Sequence, residues 1–146
     1  MEIIRAPVQV QIGDFSQIPG FIRFKKDRES VHFRGFLENT VDAIYCRNFL
    51  ENTVEDPLKF LQECFRVSRP GGRIDVRVLD TLAVCGQIVK TDSEAERDKL
   101  CSRLFNKANL FWEDRLGMLL SKSGFHRVER LPTKDLHMIA FKPELP

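Results

Sequence analysis

Glu51 and Asn52, a carboxylate and an amide side by side between an apolar run and a helix start, are placed to do chemistry. A carboxylate in such a loop acts as a general base when its surroundings raise its proton affinity. Further upstream, Val8-Gln9-Val10-Gln11-Ile12 alternates apolar and polar residues as a strand does, then stops at Gly13. A glycine there either turns the chain or lets the backbone come close to a nucleotide cofactor. Cys46 closes another apolar run, but no histidine stands near it in sequence to activate the thiol.

Other chemistries are poorly provided for. His32, His126 and His137 are scattered, and Cys46, Cys64, Cys85 and Cys101 form no C-x-x-C pair, so neither a zinc site nor a redox motif is indicated. The cysteines read as reduced thiols. The 23 basic and 21 acidic residues are mixed along the chain, and the net charge is only +2. That balance argues against a nucleic-acid protein held by phosphate neutralisation. The densest basic patch, Arg23-Phe24-Lys25-Lys26-Asp27-Arg28, reads as a solvated strand end. No apolar run reaches the ~18–20 residues of a membrane span, and the N-terminus lacks a signal-peptide core, so a cytoplasmic protein is expected. A chain of 146 residues, 42% hydrophobic and with 12 Phe, is expected to fold as one domain over residues 1–146.

The elements that must position these residues follow from periodicity and punctuation. Strands are expected at 8–12, 21–25 and 31–36, with residues 14–20 too short for a crossover helix between parallel strands. A strand at 41–46 precedes Asp56-Pro57, an N-cap and first-turn proline that open a helix with Leu58, Leu61, Cys64 and Phe65 on one face. Pro70-Gly71-Gly72 ends that helix in a tight turn, and 73–80 alternates strictly as a strand, completing a parallel crossover unit. A helix is expected over 82–89. The capping box Ser93 to Glu96 starts another that carries Leu100, Leu104 and Phe105 on one side. Trp112, Leu116, Leu119 and Leu120 mark a further helix with Trp112 in the core, stopped by Gly124 with Phe125 packing back. Strands 127–131 and 136–142 close the chain as a hairpin.

Gln9, Gln11, Arg23, Lys25, Arg73, Asp75 and Arg77 interrupt apolar partners along the strands. Strands covered by helices on both faces read as nearly continuous apolar runs, so one face of this sheet is expected to be polar or poorly covered. Such a face suits a two-fold homodimer interface.

Val41-Asp42-Ala43-Ile44-Tyr45, Asn48-Phe49-Leu50-Glu51-Asn52, Asp56-Pro57, Phe60-Leu61-Gln62-Glu63-Cys64-Phe65-Arg66-Val67 and Arg69-Pro70-Gly71-Gly72 stand in one register. Together they resemble the class I S-adenosylmethionine (SAM) methyltransferases, whose compact members carry D-x-V-x, L-E-H, D-P and F-L-x-E-x-x-R-V-L-x-P-G-G in this order. Ser123-Gly124-Phe125 is similar to that family's late A-G-F, and Gly20-Phe21-Ile22 to its G-F-I-N-x-D.

The resemblance implies an α/β Rossmann-like fold, a mostly parallel sheet with an antiparallel C-terminal hairpin, shortened in its N-terminal half. It also implies SAM as cofactor and methyl transfer to a small molecule or saccharide. Cofactor contacts then fall on Gly13, Asp14 and Phe15 in the first loop, on Lys25 and His32, and on Cys46 and Arg47. Glu51 and Asn52 fall on the substrate side as the catalytic candidates. Against the family pattern, Asp14 and Phe15 follow Gly13 where G-x-G is usual, and Asn52 replaces the His of L-E-H. Lys25, which only donates, stands at the place of an acid that accepts from the ribose hydroxyls, with Asp27 two residues further on. These departures imply a degenerate cofactor loop. They also support an alternative, a catalytically inactive relative kept as a binding or assembly module.

Overall fold

The computed structural model describes residues 6–13, 20–24, 33, 35–53 and 56–144. In chain order the elements are β1 (Gln9–Gly13), β2 (Phe21–Phe24), β3 (Val41–Arg47), α1 (Leu50–Thr53), α2 (Pro57–Val67), β4 (Ser68–Val78), α3 (Thr81–Lys90), α4 (Glu94–Phe105), α5 (Glu113–Lys122), β5 (His126–Leu131) and β6 (Leu136–Phe141). The sheet runs β2-β1-β3-β4-β6-β5. β1 is parallel to β2 and β3, β3 is parallel to β4, and the hairpin of β5 and β6 joins β4 antiparallel. This is the Rossmann-like arrangement expected from the sequence.

One face of the sheet builds the core. Strand alternation puts Val10 and Ile12 of β1, Ile44 and Cys46 of β3, Ile74, Val76 and Val78 of β4, and Leu136, Met138 and Ala140 of β6 on this face, all buried. Phe60, Leu61, Cys64 and Val67 of α2 and Leu116 and Leu120 of α5 close over it. Leu58 and Phe65 stay half-buried. The start of α2 is set as its sequence suggests: the Asp56 carboxylate accepts from the Lys59 amide at 3.1 Å, and Pro57 takes the first helical position.

The other face is polar, with Gln9, Gln11, Tyr45, Arg47, Arg73, Asp75, Arg77 and His137 in register across the strands. It is less open than expected, because Gln11 and His137 are buried and the others half-buried. α3 and α4 pack chiefly on each other. Among the described residues, no helix is long and apolar enough to cross a membrane.

Several expectations are corrected. Within 31–36, the described residues form a turn instead of a strand: the Phe36 amide donates to the Phe33 carbonyl at 3.0 Å. Burial of the Phe33 ring against Phe36 and Phe60 explains the preference, and the Arg66 guanidinium donates to the Phe33 and Phe36 carbonyls. Residues 31, 32 and 34 lie outside the described residues. Pro70-Gly71-Gly72 is no separate turn but part of β4. A register shift opposite Val41 and Ala43 accommodates the proline, which has no ladder donor, while Gly71 and Gly72 exchange hydrogen bonds with Lys142.

The aromatic that enters the core near α5 is Phe111, fully buried, and not Trp112, which caps the helix at 36% exposure. Thr81, the first residue of α3, decides this. Its amide donates to the Phe111 carbonyl at 2.9 Å and its Oγ1 accepts from the Phe111 amide at 3.1 Å. Phe105 is likewise turned outward, at 84% exposure, while Leu100 is buried. At the end of α5, Gly124 has φ +112° and a Cβ there would lie 2.8 Å from the Phe65 ring, so Phe125 can fold back edge-on to Phe65.

Truncating Phe111→Ala should therefore cost about 3–5 kcal/mol, as for other large-to-small core changes, and Trp112→Ala less than about 1 kcal/mol. Urea unfolding of both variants checks this, and equal losses would contradict the assignment of Phe111 as the core aromatic.

Candidate functional site

From β1 the chain passes to β2 on one side of the sheet, and it returns as β3 on the other side of β1. Strand order therefore reverses between β1 and β3. In open α/β sheets, ligands bind above the carboxyl ends of the strands at such a switch point. Gly13 ends β1 there, Arg47 ends β3, and Arg77 and Val78 end β4.

Gly13 has φ +102°, and a Cβ on it would lie 2.0 Å from the Arg47 carbonyl oxygen and 3.3 Å from the Phe49 Cβ. The missing side chain is therefore required by the approach of β3 to β1. Immediately beyond, Asn48 takes φ +52° and its amide donates to the Arg77 carbonyl at 2.9 Å, which turns the chain out of the sheet into α1.

That turn delivers Glu51 to the end of β4. Glu51 is 2% exposed, and its Oε2 accepts the Leu79 amide at 2.5 Å. Its other oxygen, Oε1, is buried with no hydrogen-bond partner among the described residues. Burial pushes the carboxyl above its ordinary proton affinity, with the Leu79 amide and the charge of Lys107 pulling the other way. Asn52 spans the same turn, donating from Nδ2 to the Asn48 carbonyl at 2.9 Å and accepting the Lys107 ammonium on Oδ1 at 3.0 Å. Asn109 completes the cluster, its amide donating to the Glu51 carbonyl at 3.1 Å and its Nδ2 to the Leu50 carbonyl at 3.2 Å.

The structure thus brings Gly13, Arg47, Glu51 and Asn52 to one edge. Cys46 does not face that crevice, contrary to expectation. Its register with Ile12 and Val76 puts the side chain on the helix-covered face, and complete burial drives the thiol well above its usual range. Asp14, Phe15, Lys25 and His32 lie outside the described residues. Lys107 and Asn109 were not expected. They follow α4 in a loop far along the chain, and no spacing in the sequence ties them to Glu51.

The SAM implied by the resemblance can be tested against this edge at two points. The volume a Cβ would fill at Gly13 holds the Arg47 carbonyl, so this glycine leaves no cradle for a ligand. At Glu51, by contrast, the unpartnered Oε1 is a buried acceptor that a hydroxyl or ammonium of a bound molecule would satisfy. The described residues fit the group on the β3 side.

Residues 9–76 match the family model of the methyltransferase domain. A SAM-dependent methyltransferase of Thermotoga maritima, described as a possible histamine N-methyltransferase, superposes with a TM-score of 0.57 at 19% identity, over 86% of this chain and 65% of its own. A SAM-dependent methyltransferase of Methanosarcina mazei gives 0.58 at 16% identity, over 97% and 95%. Phosphoethanolamine N-methyltransferase 2 of Haemonchus contortus, solved with SAM, gives 0.62 at 14% identity, over 98% of this chain and 50% of its own. At these identities the likeness is one of fold. No curated protein matches the chain at a significant level.

Because the Glu51 carboxyl is raised on folding, the native state holds the extra proton between the unfolded and folded pKa values, and stability falls as pH rises through that window. Glu51→Gln keeps an acceptor for Leu79 and removes the charge. The melting temperature of the variant relative to wild type should rise from about pH 4 toward neutrality and then level off. Thermal melts across that range test this, and a pH-independent difference would count against a raised Glu51.

Proposed function

We propose that this chain, which has the fold of the class I SAM methyltransferases and matches their domain family over residues 9–76, is a SAM-dependent methyltransferase-like protein with a degenerate cofactor loop. It transfers a methyl group to a small molecule or saccharide. SAM, when bound, supplies the electrophilic methyl group. The chain's own task is to position an acceptor in line and to handle its proton.

The observation that carries this reading is the buried, unpartnered Oε1 of Glu51 at the carboxyl edge of the sheet. A carboxyl raised by burial and held on one oxygen by Leu79 is suited to take a proton from an acceptor hydroxyl or ammonium on the other. Asn52 and Lys107 brace the same turn and keep Glu51 in place. The free thiols Cys46, Cys64, Cys85 and Cys101 suit a reducing, cytoplasmic setting.

A second reading, a binding or assembly module without turnover, is favoured by the Gly13 edge. There the Arg47 carbonyl fills the glycine's space, and the Arg47 side chain adds positive charge where a sulfonium would come. Calorimetric titration with SAM and with S-adenosylhomocysteine, which lacks the sulfonium charge, separates the two. Saturable micromolar binding of SAM is expected, with the homocysteine form at least several-fold tighter. No heat from folded protein up to millimolar ligand would turn the assignment to the second reading.

The polar sheet face is proposed to meet its equivalent in a second copy about a two-fold axis, which suits its mixed signs: Arg73 and Asp75 stand on the same face of the same strand. Light scattering at micromolar concentration should give twice the 17.0 kDa chain mass. A monomer at that concentration would remove the dimer from the proposal.

A further inference from the structure

At the carboxyl edge of the polar face, Gly13 of β1, Arg47 of β3, Arg77 of β4 and His137 of β6 follow one another in register. Guanidinium groups therefore rise from neighbouring strands on the same side of the sheet. Like charges so placed repel, and both residues are half-buried, where salt and water screen less than at an open surface.

Among the described residues this charge is offset very little. Arg77 donates from Nη2 to His137 Nδ1 at 3.2 Å. A guanidinium only donates, so Nδ1 accepts and the ring proton sits on Nε2, 2.7 Å from Asp75 Oδ1. In this arrangement the imidazole brings no charge to Arg77, and the Asp75 carboxylate is engaged by the ring. Arg47 has no hydrogen-bond or ionic partner among the described residues, and its neighbour on β1, Gly13, has no side chain. The row thus ends in a cation with no partner among the described residues, at the strand ends where open α/β sheets hold their ligands.

We infer that Arg47 and Arg77 form a site for a compact oxyanion of the phosphate class, either inorganic phosphate or the phosphate group of a monoester. Guanidinium forks pair with tetrahedral oxyanions through parallel N–H···O bonds, and a dianion matches the charge of both arginines, which a single carboxylate does not. His137, anchored by Asp75, holds the Arg77 fork in orientation. The site does not depend on SAM, and its test requires no methyl transfer.

The full chain is titrated with inorganic phosphate and with glycerol 3-phosphate, followed by calorimetry and thermal melting, with sodium chloride at matched ionic strength as control. Phosphate should raise the melting temperature saturably. Arg47→Gln and Arg77→Gln should each weaken its binding at least tenfold, whereas Arg103→Gln, on the exposed side of α4, should leave it within twofold. Without phosphate, Arg47→Gln should melt at or above wild type, because the repulsion with Arg77 is lifted; this also shows that the variant folds. Tighter binding of glycerol 3-phosphate than of phosphate identifies a group carried on a larger ligand, and the reverse identifies the free ion. An equal shift from chloride, or unchanged phosphate affinity in folded Arg47→Gln, overturns the inference. Failure of SAM to bind wild type leaves this result untouched.

Discussion

The carbonyl of Arg47 lies where any side chain on residue 13 would begin, and much of the molecule follows from that approach. It draws the ends of β1 and β3 together at the point where strand order reverses. It also fixes where β3 must leave the sheet, because Asn48 can then reach the Arg77 carbonyl only by turning through a positive φ. The turn swings Glu51 beneath the end of β4, where the Leu79 amide meets its carboxylate. A displaced Gly13 would therefore be felt at Glu51, which it does not touch.

A buried carboxyl with one oxygen satisfied and the other not is costly to stability, since the unpartnered atom has given up its water. Asn52, Lys107 and Asn109 hold the backbone around it from separate parts of the chain. Sites of chemistry commonly retain such local costs, because the group must be free to engage something that is not yet there. Arg47, which has no partner among the described residues, has the same character with the opposite sign.

How much of this could be read from sequence depended on whether the determinant was local. The alternations at Val10 and Ile12 and at Ile74, Val76 and Val78, the Asp56-Pro57 cap, and Gly124 before Phe125 act within a few residues, and each stands as expected. The turn at Phe33 is set by Phe60 and Arg66, residues of α2 far along the chain, so strand-like composition around 31–36 misled. Trp112 and Phe111 are adjacent aromatics that periodicity cannot rank, and hydrogen bonds to Thr81 choose between them. Cys46 and Arg47 are also adjacent, and alternation sends only the second to the polar face. Knowing which face borders the crevice requires the whole sheet. The link from Lys107 to Asn52 spans 55 positions and leaves no trace in local pattern.

The two sides of the carboxyl edge make different demands on a ligand. Toward Glu51 the surface offers a single acceptor oxygen in a buried setting, which selects a neutral or positively charged donor. Toward Arg47 and Arg77 it offers donors only, and the imidazole that might have accepted is already engaged by both its neighbours. A molecule that spans both would need a hydroxyl or amine at one end and an oxyanion at the other.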